Sequence, residues 1–200
     1  MLRCAITDRT LFPGDESQRQ TALCRQAALW AHRGFDLIQL REKDLSSAEL
    51  AQLASRILAI ITAASSPTRL LVNGSLQAAL QSQAHGLHIP SLSPLLPDDV
   101  RRRYAALDLP APIVTVSCHN LAEIQIARRN RADAVLFSPV FGKTVSGQIV
   151  TPPTGIDALR EACAAAAPIP VYALGGVTHE NAAACLKAGA KGVAGIRLFV

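Results

Sequence analysis

Three short polar segments carry residue types that can do chemistry: Gln39-Leu-Arg41-Glu-Lys43, Ser117-Cys-His119-Asn120 and Ala173-Leu-Gly175-Gly176-Val. Gln39, Arg41 and Lys43 alternate along an extended segment, which sends all three to one side and leaves Leu40 and Glu42 on the other. An amide and two cations converging on one spot suit a phosphate, a diphosphate or a carboxylate. The plainer alternative is a surface ion pair between Glu42 and a neighbour. His119 supplies an imidazole, the side chain that exchanges protons near neutral pH. Its plainer role is to cap or orient the loop. Gly175-Gly176 leads through Val177-Thr178 into a predicted helix, and Gly195-Ile196-Arg197 runs out of the end of the last predicted strand. The N–H groups of glycine-rich turns and the positive end of a helix cradle phosphate, although a tight turn by itself also calls for glycine.

Other reactive residue types do not combine. His85 and His88 are three apart on a predicted strand and point to opposite faces, which argues against a metal pair. His32 and His179 fall at predicted helix ends. The five cysteines, Cys4, Cys24, Cys118, Cys163 and Cys185, are scattered without a Cys-x-x-Cys, so neither a disulfide framework nor a zinc site is indicated. They are expected to be reduced and structural, and no metal ligands are assigned.

These segments fall at the ends of short apolar runs. Strands are predicted at Leu2–Thr7, Leu37–Leu40, Leu70–Val72, Gly86–Ile89, Ile113–Ser117, Ala134–Phe137, Val171–Leu174 and Gly192–Ile196. Helical patterns lie between them at about Ser17–Arg33, Ser47–Ala64, Ser75–Gln83, Pro97–Tyr104, Leu121–Asn130, Gly155–Ala166 and His179–Ala188. Ser46-x-x-Glu49 and Thr178 read as helix starts, and Gly34 and Gly189 as helix ends. Eight near-continuous apolar strands separated by helices predict an α/β protein of the TIM (β/α)₈ barrel type, one domain over residues 1–200. A doubly wound open sheet is the runner-up, disfavoured because no Gly-x-Gly-x-x-Gly follows the first strand. Chemistry in such barrels lies on the loops after the C-terminal strand ends, where the three polar segments fall. The last helix is missing from the pattern, because the sequence stops at Val200 just past strand eight. Apolar surface beside strands eight and one is therefore expected to be exposed or covered by a partner, which predicts a homo-oligomer or a shortened chain.

The sequence is 50% hydrophobic with a mean hydropathy of +0.24, enough for one large core. No apolar run approaches the roughly 20 residues that span a bilayer, and the N-terminus enters a strand rather than a signal peptide, so a cytoplasmic protein without membrane contact is expected. The net charge is +5. Its dense clusters, Arg101-Arg102-Arg103 and Arg128-Arg129 with Arg131, fall on predicted helices with a single tyrosine nearby, which reads as a solvated face rather than a nucleic-acid surface. A small anionic substrate fits the basic balance.

The chain resembles the thiamin phosphate synthase and TenI superfamily from Ala5-Ile-Thr-Asp8 to the last strand. The resemblance is carried, in order, by Gln39-Leu-Arg-Glu-Lys43, Leu71-Val-Asn73, Gly86-Leu-His88, Ser117-Cys-His119, Pro139-Val-Phe141, Gly155-Ile-Asp-Ala-Leu159, Ala173-Leu-Gly-Gly-Val177 and Ala188-Gly-Ala-Lys-Gly192. It implies a barrel that binds thiazole phosphate. Gln39, Arg41, Lys43, Asn73, Ser117, Gly155, Gly175, Gly176, Gly195, Ile196 and Arg197 are the substrate- and phosphate-binding positions, and His119 is the acid/base. The synthase branch joins hydroxymethylpyrimidine diphosphate to thiazole phosphate and needs Mg²⁺ on two acids. Here those places hold Gly74 and the acid-free Pro90-Ser-Leu-Ser-Pro94. Lys143 falls three positions short of the synthase lysine, and Ser146 takes that place. Val72-Asn73-Gly74 and His88-Ile-Pro-Ser91 resemble the TenI branch, whose thiazole tautomerases aromatise a thiazole phosphate carboxylate by moving protons without a metal. Gln39-Leu-Arg-Glu-Lys43 is closer to the synthase form, and Ile196-Arg197 replaces the Val-Ser of the final phosphate loop.

Three readings follow. The leading one is a metal-independent thiazole phosphate carboxylate tautomerase with no cofactor and a small phosphorylated thiazole as its partner. The second is a divergent Mg²⁺-dependent thiamin phosphate synthase taking its metal ligands from Asp8 or Asp44. The third is a non-catalytic thiazole- or thiamin-phosphate-binding regulatory protein.

Overall fold

The computed structural model describes residues 1–145 and 148–200, the side chains of residues 143–150 excepted. In chain order the strands are β1 (Leu2–Ile6), β2 (Leu37–Leu40), β3 (Arg69–Asn73), β4 (Gly86–Ile89), β5 (Ile113–Cys118), β6 (Ala134–Phe137), β7 (Lys143–Val145), β8 (Gln148–Thr151), β9 (Val171–Ala173) and β10 (Gly192–Gly195). Eight of them close into a barrel in the order β1-β10-β9-β6-β5-β4-β3-β2, every pair parallel. All residues of β2, β4, β6 and β10 are buried, as strands between a filled interior and an outer helical layer must be. The predicted (β/α)₈ architecture is present. The antiparallel pair β7 and β8 lies outside the barrel and was not foreseen.

The outer layer consists of α1 (Glu16–His32), α2 (Ser47–Ala63), α3 (Leu76–Ser82), α4 (Pro97–Ala105), α5 (Leu121–Arg129), α6 (Gly155–Ala166) and α7 (Ala182–Lys187). Side chains fix where they start. Asp15 with Gln18 and Ser46 with Glu49 form capping boxes on α1 and α2, and Asn120 accepts from the Glu123 N–H at the head of α5. The last helix departs from expectation, beginning at Ala182 instead of His179. Thr178 and Asn181 bond each other's backbone N–H groups at 2.8 and 3.3 Å, so these residues form a turn ahead of the helix rather than its first turn. Two of the three arginines of α4 are tied to carboxylates, Arg101 to Asp98 and Asp133 and Arg102 to Asp99, with Arg131 also on Asp98. No helix among the described residues is long and apolar enough to cross a membrane.

Cys4, Ile6, Leu37, Leu71, Leu136, Tyr172 and Ala194 fill the lower barrel interior, and larger clusters around Trp30, Ile57 and Val135 join strands to helices. No helix follows β10 among the described residues, yet the flank beside β10 and β1 is not simply open. Phe199 packs edge-on against Phe35 at 4.8 Å between centroids, and its carbonyl accepts from Trp30 Nε1 at 3.0 Å and Gln26 Nε2 at 3.1 Å. The tail covers part of the expected surface, leaving Leu29, Leu186 and Val200 exposed.

β4 and β5 approach so closely at Gly86 that a Cβ there would lie 1.8 Å from the Ile113 carbonyl oxygen. That atom is backbone in a closed sheet and cannot swing away. Gly86→Ala is therefore expected to lower stability by roughly 3 kcal/mol or more, read by chemical denaturation. An unchanged midpoint would show that the two strands can separate at no cost.

Candidate active site

The alternation of strand side chains puts every second residue into the barrel, so the interior sequence of each strand can be followed upward to its C-terminal end. From β1 this gives Ile6 and Asp8. From β2 it gives Gln39, Arg41 and Lys43; from β3, Asn73; from β4, His88; and from β5, Ser117 and His119. Leu174, Gly176, Ala194 and Ile196 complete the ring, joined by Gly175, Gly195 and Arg197, around a cavity of about 780 Å³. Of the predicted site residues, Gly155 alone is not brought into this wall. Its N–H is donated to the Val140 carbonyl at 3.0 Å, which removes it as a phosphate ligand. The side chain of Lys143 and the whole of Ser146 lie outside the described residues.

The cavity floor is a polar network spanning neighbouring strands. Asn73 Nδ2 donates to Gln39 Oε1 at 3.1 Å, while Gln39 Nε2 is buried without a partner among the described residues. A buried donor left open costs stability, and a ligand acceptor would satisfy it. His88, a residue the sequence reading left without a role, is 2% exposed and sits 2.8 Å from both Thr115 Oγ1 and Ser117 Oγ. Burial first, and then the Arg41 charge, push its pKa down to about 3, so it is a neutral imidazole that fixes the Ser117 hydroxyl.

His119 stands at the rim on the loop before α5. Its Nδ1 lies 2.7 Å from the Ser138 carbonyl oxygen, which can only accept. In the neutral ring Nδ1 is therefore the nitrogen that carries the proton, and Nε2 the one with the lone pair. The backbone N–H of His119 donates to Glu123 Oε2 at 2.9 Å, so the loop is held at two points.

Across the cavity, Gly175 and Gly176 have φ of +90° and +66°, and Cβ atoms there would meet Pro139 Cα at 2.7 Å and the Gly142 carbonyl oxygen at 2.6 Å. Close approach of the 139–142 segment requires glycine at both positions. Among the described residues no backbone acceptor engages the N–H groups of Gly176, Val177, Ile196 and Arg197. These donors at adjacent strand ends are suited to an anion.

Arg41, Lys43 and Arg197 give the wall three cationic side chains, against one carboxylate, Asp8. Asp8 Oδ1 already accepts from the Thr10 N–H and hydroxyl. Asp44, the other candidate metal ligand, is held in a two-pronged pair by Arg9 at 2.7 Å on each oxygen. Glu42 does form an ion pair, but a buried one with Arg9 at 3.1 Å, on the side of the strand away from Arg41 and Lys43. Among the described residues no cluster of three His, Cys, Asp or Glu could hold a metal. Mg²⁺ seeks several hard anionic oxygens, and this donor set does not fit it.

Comparison with known proteins agrees with this architecture. Residues 4–199 match the TMP-TENI family model, described as thiamine monophosphate synthase. The chain is 38% identical over 168 residues to the putative thiamine-phosphate synthase 2 of Aquifex aeolicus, covering 84% of each chain. It is 35% identical over 195 residues to the thiamine-phosphate synthase of Methanoculleus marisnigri, covering 98% of this chain and 85% of that one. Among solved structures, a thiamine phosphate pyrophosphorylase from Pyrococcus furiosus superposes with a TM-score of 0.76 at 22% identity, over 98% of this chain and 85% of that one, a likeness of fold. A match running through nearly every strand and both glycine loops shows that the chain belongs to the thiamine monophosphate synthase (TMP-TENI) family.

Proposed function

We propose that this member of the family is a metal-independent tautomerase of a thiazole phosphate carboxylate. The observation that carries the reading is the donor set of the cavity: three cations and a row of N–H groups that no backbone acceptor among the described residues engages, with a single carboxylate already engaged. Such a wall accepts a substrate with two anionic groups and offers no seat for Mg²⁺. The phosphate lies against Gly175, Gly176, Gly195 and Ile196, with Arg197 beside it. Arg41 and Lys43 hold the carboxylate, and Gln39, Asn73 and Ser117 face the ring.

Aromatising an exocyclic thiazole tautomer requires loss of a proton from the saturated ring carbon and gain of a proton at the exocyclic carbon, with no net change in charge. In the neutral ring Nδ1 donates to the Ser138 carbonyl, so His119 Nε2 carries the lone pair that takes the first proton and then returns one to the second carbon. Cations at the carboxylate stabilise the negative charge that develops between the two steps.

The test is incubation of the exocyclic tautomer with the metal-free protein, following appearance of the aromatic ring by ultraviolet absorbance. Turnover unaffected by a chelator is expected. In parallel, the aromatic product at 100-fold above its Kd should add about 2.7 kcal/mol of stability. Stabilisation without turnover would replace the tautomerase with a binding protein.

A second reading, the thiamin phosphate synthase, draws on the names of the curated relatives and on Gln39-Leu-Arg-Glu-Lys43. Mg²⁺-dependent release of pyrophosphate from hydroxymethylpyrimidine diphosphate would put it first.

A further inference from the structure

We infer that Arg9 is the positioning residue of the anion-binding strand end, holding Glu42 and Asp44 outward so that Arg41 and Lys43 are presented to the cavity. The inference rests on the reading that Arg41 and Lys43 bind an anionic group of the substrate.

Arg9 is 4% exposed and spends every guanidinium nitrogen on carboxylates. Nε meets Glu16 Oε1 at 2.7 Å, Nη1 meets Glu42 Oε2 at 3.1 Å, and Nη1 and Nη2 grip the two oxygens of Asp44 at 2.7 Å each. Glu42 is bound further by the Thr7 hydroxyl at 2.6 Å and the Arg9 N–H at 3.1 Å. The same Thr7 oxygen accepts from the Arg41 N–H at 2.9 Å. Positions 41, 42 and 44 are thus tied to residues 7–9 just past the end of β2, while Arg41 and Lys43 line the cavity.

The geometry also settles a competition between charges. Glu42 and Asp44 flank Lys43 in sequence, and a carboxylate released from Arg9 would be available to pair with Lys43 or Arg41. Arg9 occupies them, keeping both cavity cations without an acidic partner among the described residues. Its hydrogen bonds hold the Asp44 carboxyl down at about 2, so the grip persists through the physiological range.

Asp44→Asn separates this role from bulk electrostatics, because the two predict opposite signs. Removing a negative charge near a cationic site should tighten anion binding, whereas loosening the clamp should weaken it. Binding of inorganic pyrophosphate, measured by calorimetry at fixed ionic strength, is expected to weaken at least threefold in Asp44→Asn and at least tenfold in Arg9→Gln. Asp44→Asn should have little further effect on a Lys43→Ala background. Unchanged or tighter binding by Asp44→Asn overturns the clamp, and does so even if Arg9→Gln does not fold. If Lys43→Ala itself binds pyrophosphate like the wild type, the anion-binding reading fails first and the clamp falls with it.

Discussion

His119→Ala is expected to lower turnover of the exocyclic thiazole phosphate carboxylate by about 10²-fold or more while the melting temperature moves by only a few degrees. The small structural effect follows from position. The His119 side chain is solvent-facing, on a loop that the His119 backbone and Asn120 still anchor to Glu123 in the variant. The large kinetic effect follows from the tautomer: with Nδ1 committed to the Ser138 carbonyl, Nε2 is the nitrogen available as a base. Because the same bond could mean that His119 merely orients the loop, His119→Asn is the sharper comparison. An asparagine amide can still donate to the Ser138 carbonyl but cannot carry a proton at neutral pH. Loss of rate in both variants assigns proton transfer to His119. Full activity in the asparagine variant would reduce the residue to a loop anchor and move the search for a base to Asp8.

Much of this site is legible along the strands because the barrel turns a one-dimensional alternation into a ring. Once Gln39, Arg41 and Lys43 are placed on one side of β2, the same rule applied to β4 puts Gly86 and His88 inward, a signal that could have identified His88 beforehand. What stays hidden is contact between distant segments. Nothing around Glu42 announces that its partner is Arg9, 33 residues upstream, or that the pair is buried rather than on the surface. Gly155 resembles a phosphate-loop glycine in sequence, yet its N–H is spent on Val140. The antiparallel pair β7–β8 has strands of three and four residues, too short for periodicity to mark. The covering of β10 by Phe199 likewise depends on a carbonyl reaching Trp30, a tertiary contact that a missing helix pattern could not foretell.

Acidification should separate the wild type from His88→Gln. In the native protein burial holds His88 neutral down to about pH 3, whereas in the unfolded chain a histidine takes up its proton near 6.5. Above 6.5 both states are neutral, and the group contributes no pH dependence. As pH falls from 6.5 toward 3 the unfolded state binds a proton that the native state refuses, so native stability drops by about 1.4 kcal/mol per unit. Below about 3 both states are protonated and the loss levels off. At pH 7 the glutamine variant is the less stable protein by about 1–3 kcal/mol, because Thr115 or Ser117 loses a buried partner. By pH 4 it should have gained about 3 kcal/mol relative to wild type and reversed the order. The acid titration of Asp44 and Glu16 under Arg9 occurs in both proteins and cancels in the difference. Parallel stability curves from urea titrations between pH 4 and 7 would mean that native His88 accepts a proton as readily as the unfolded chain. A charged imidazole beneath Ser117 would then be a second acid in the cavity, and His119 would no longer be its sole imidazole proton carrier. A reversal keeps His88 as the fixed neutral support of Ser117 and leaves proton transfer at the rim, where Nε2 of His119 is free.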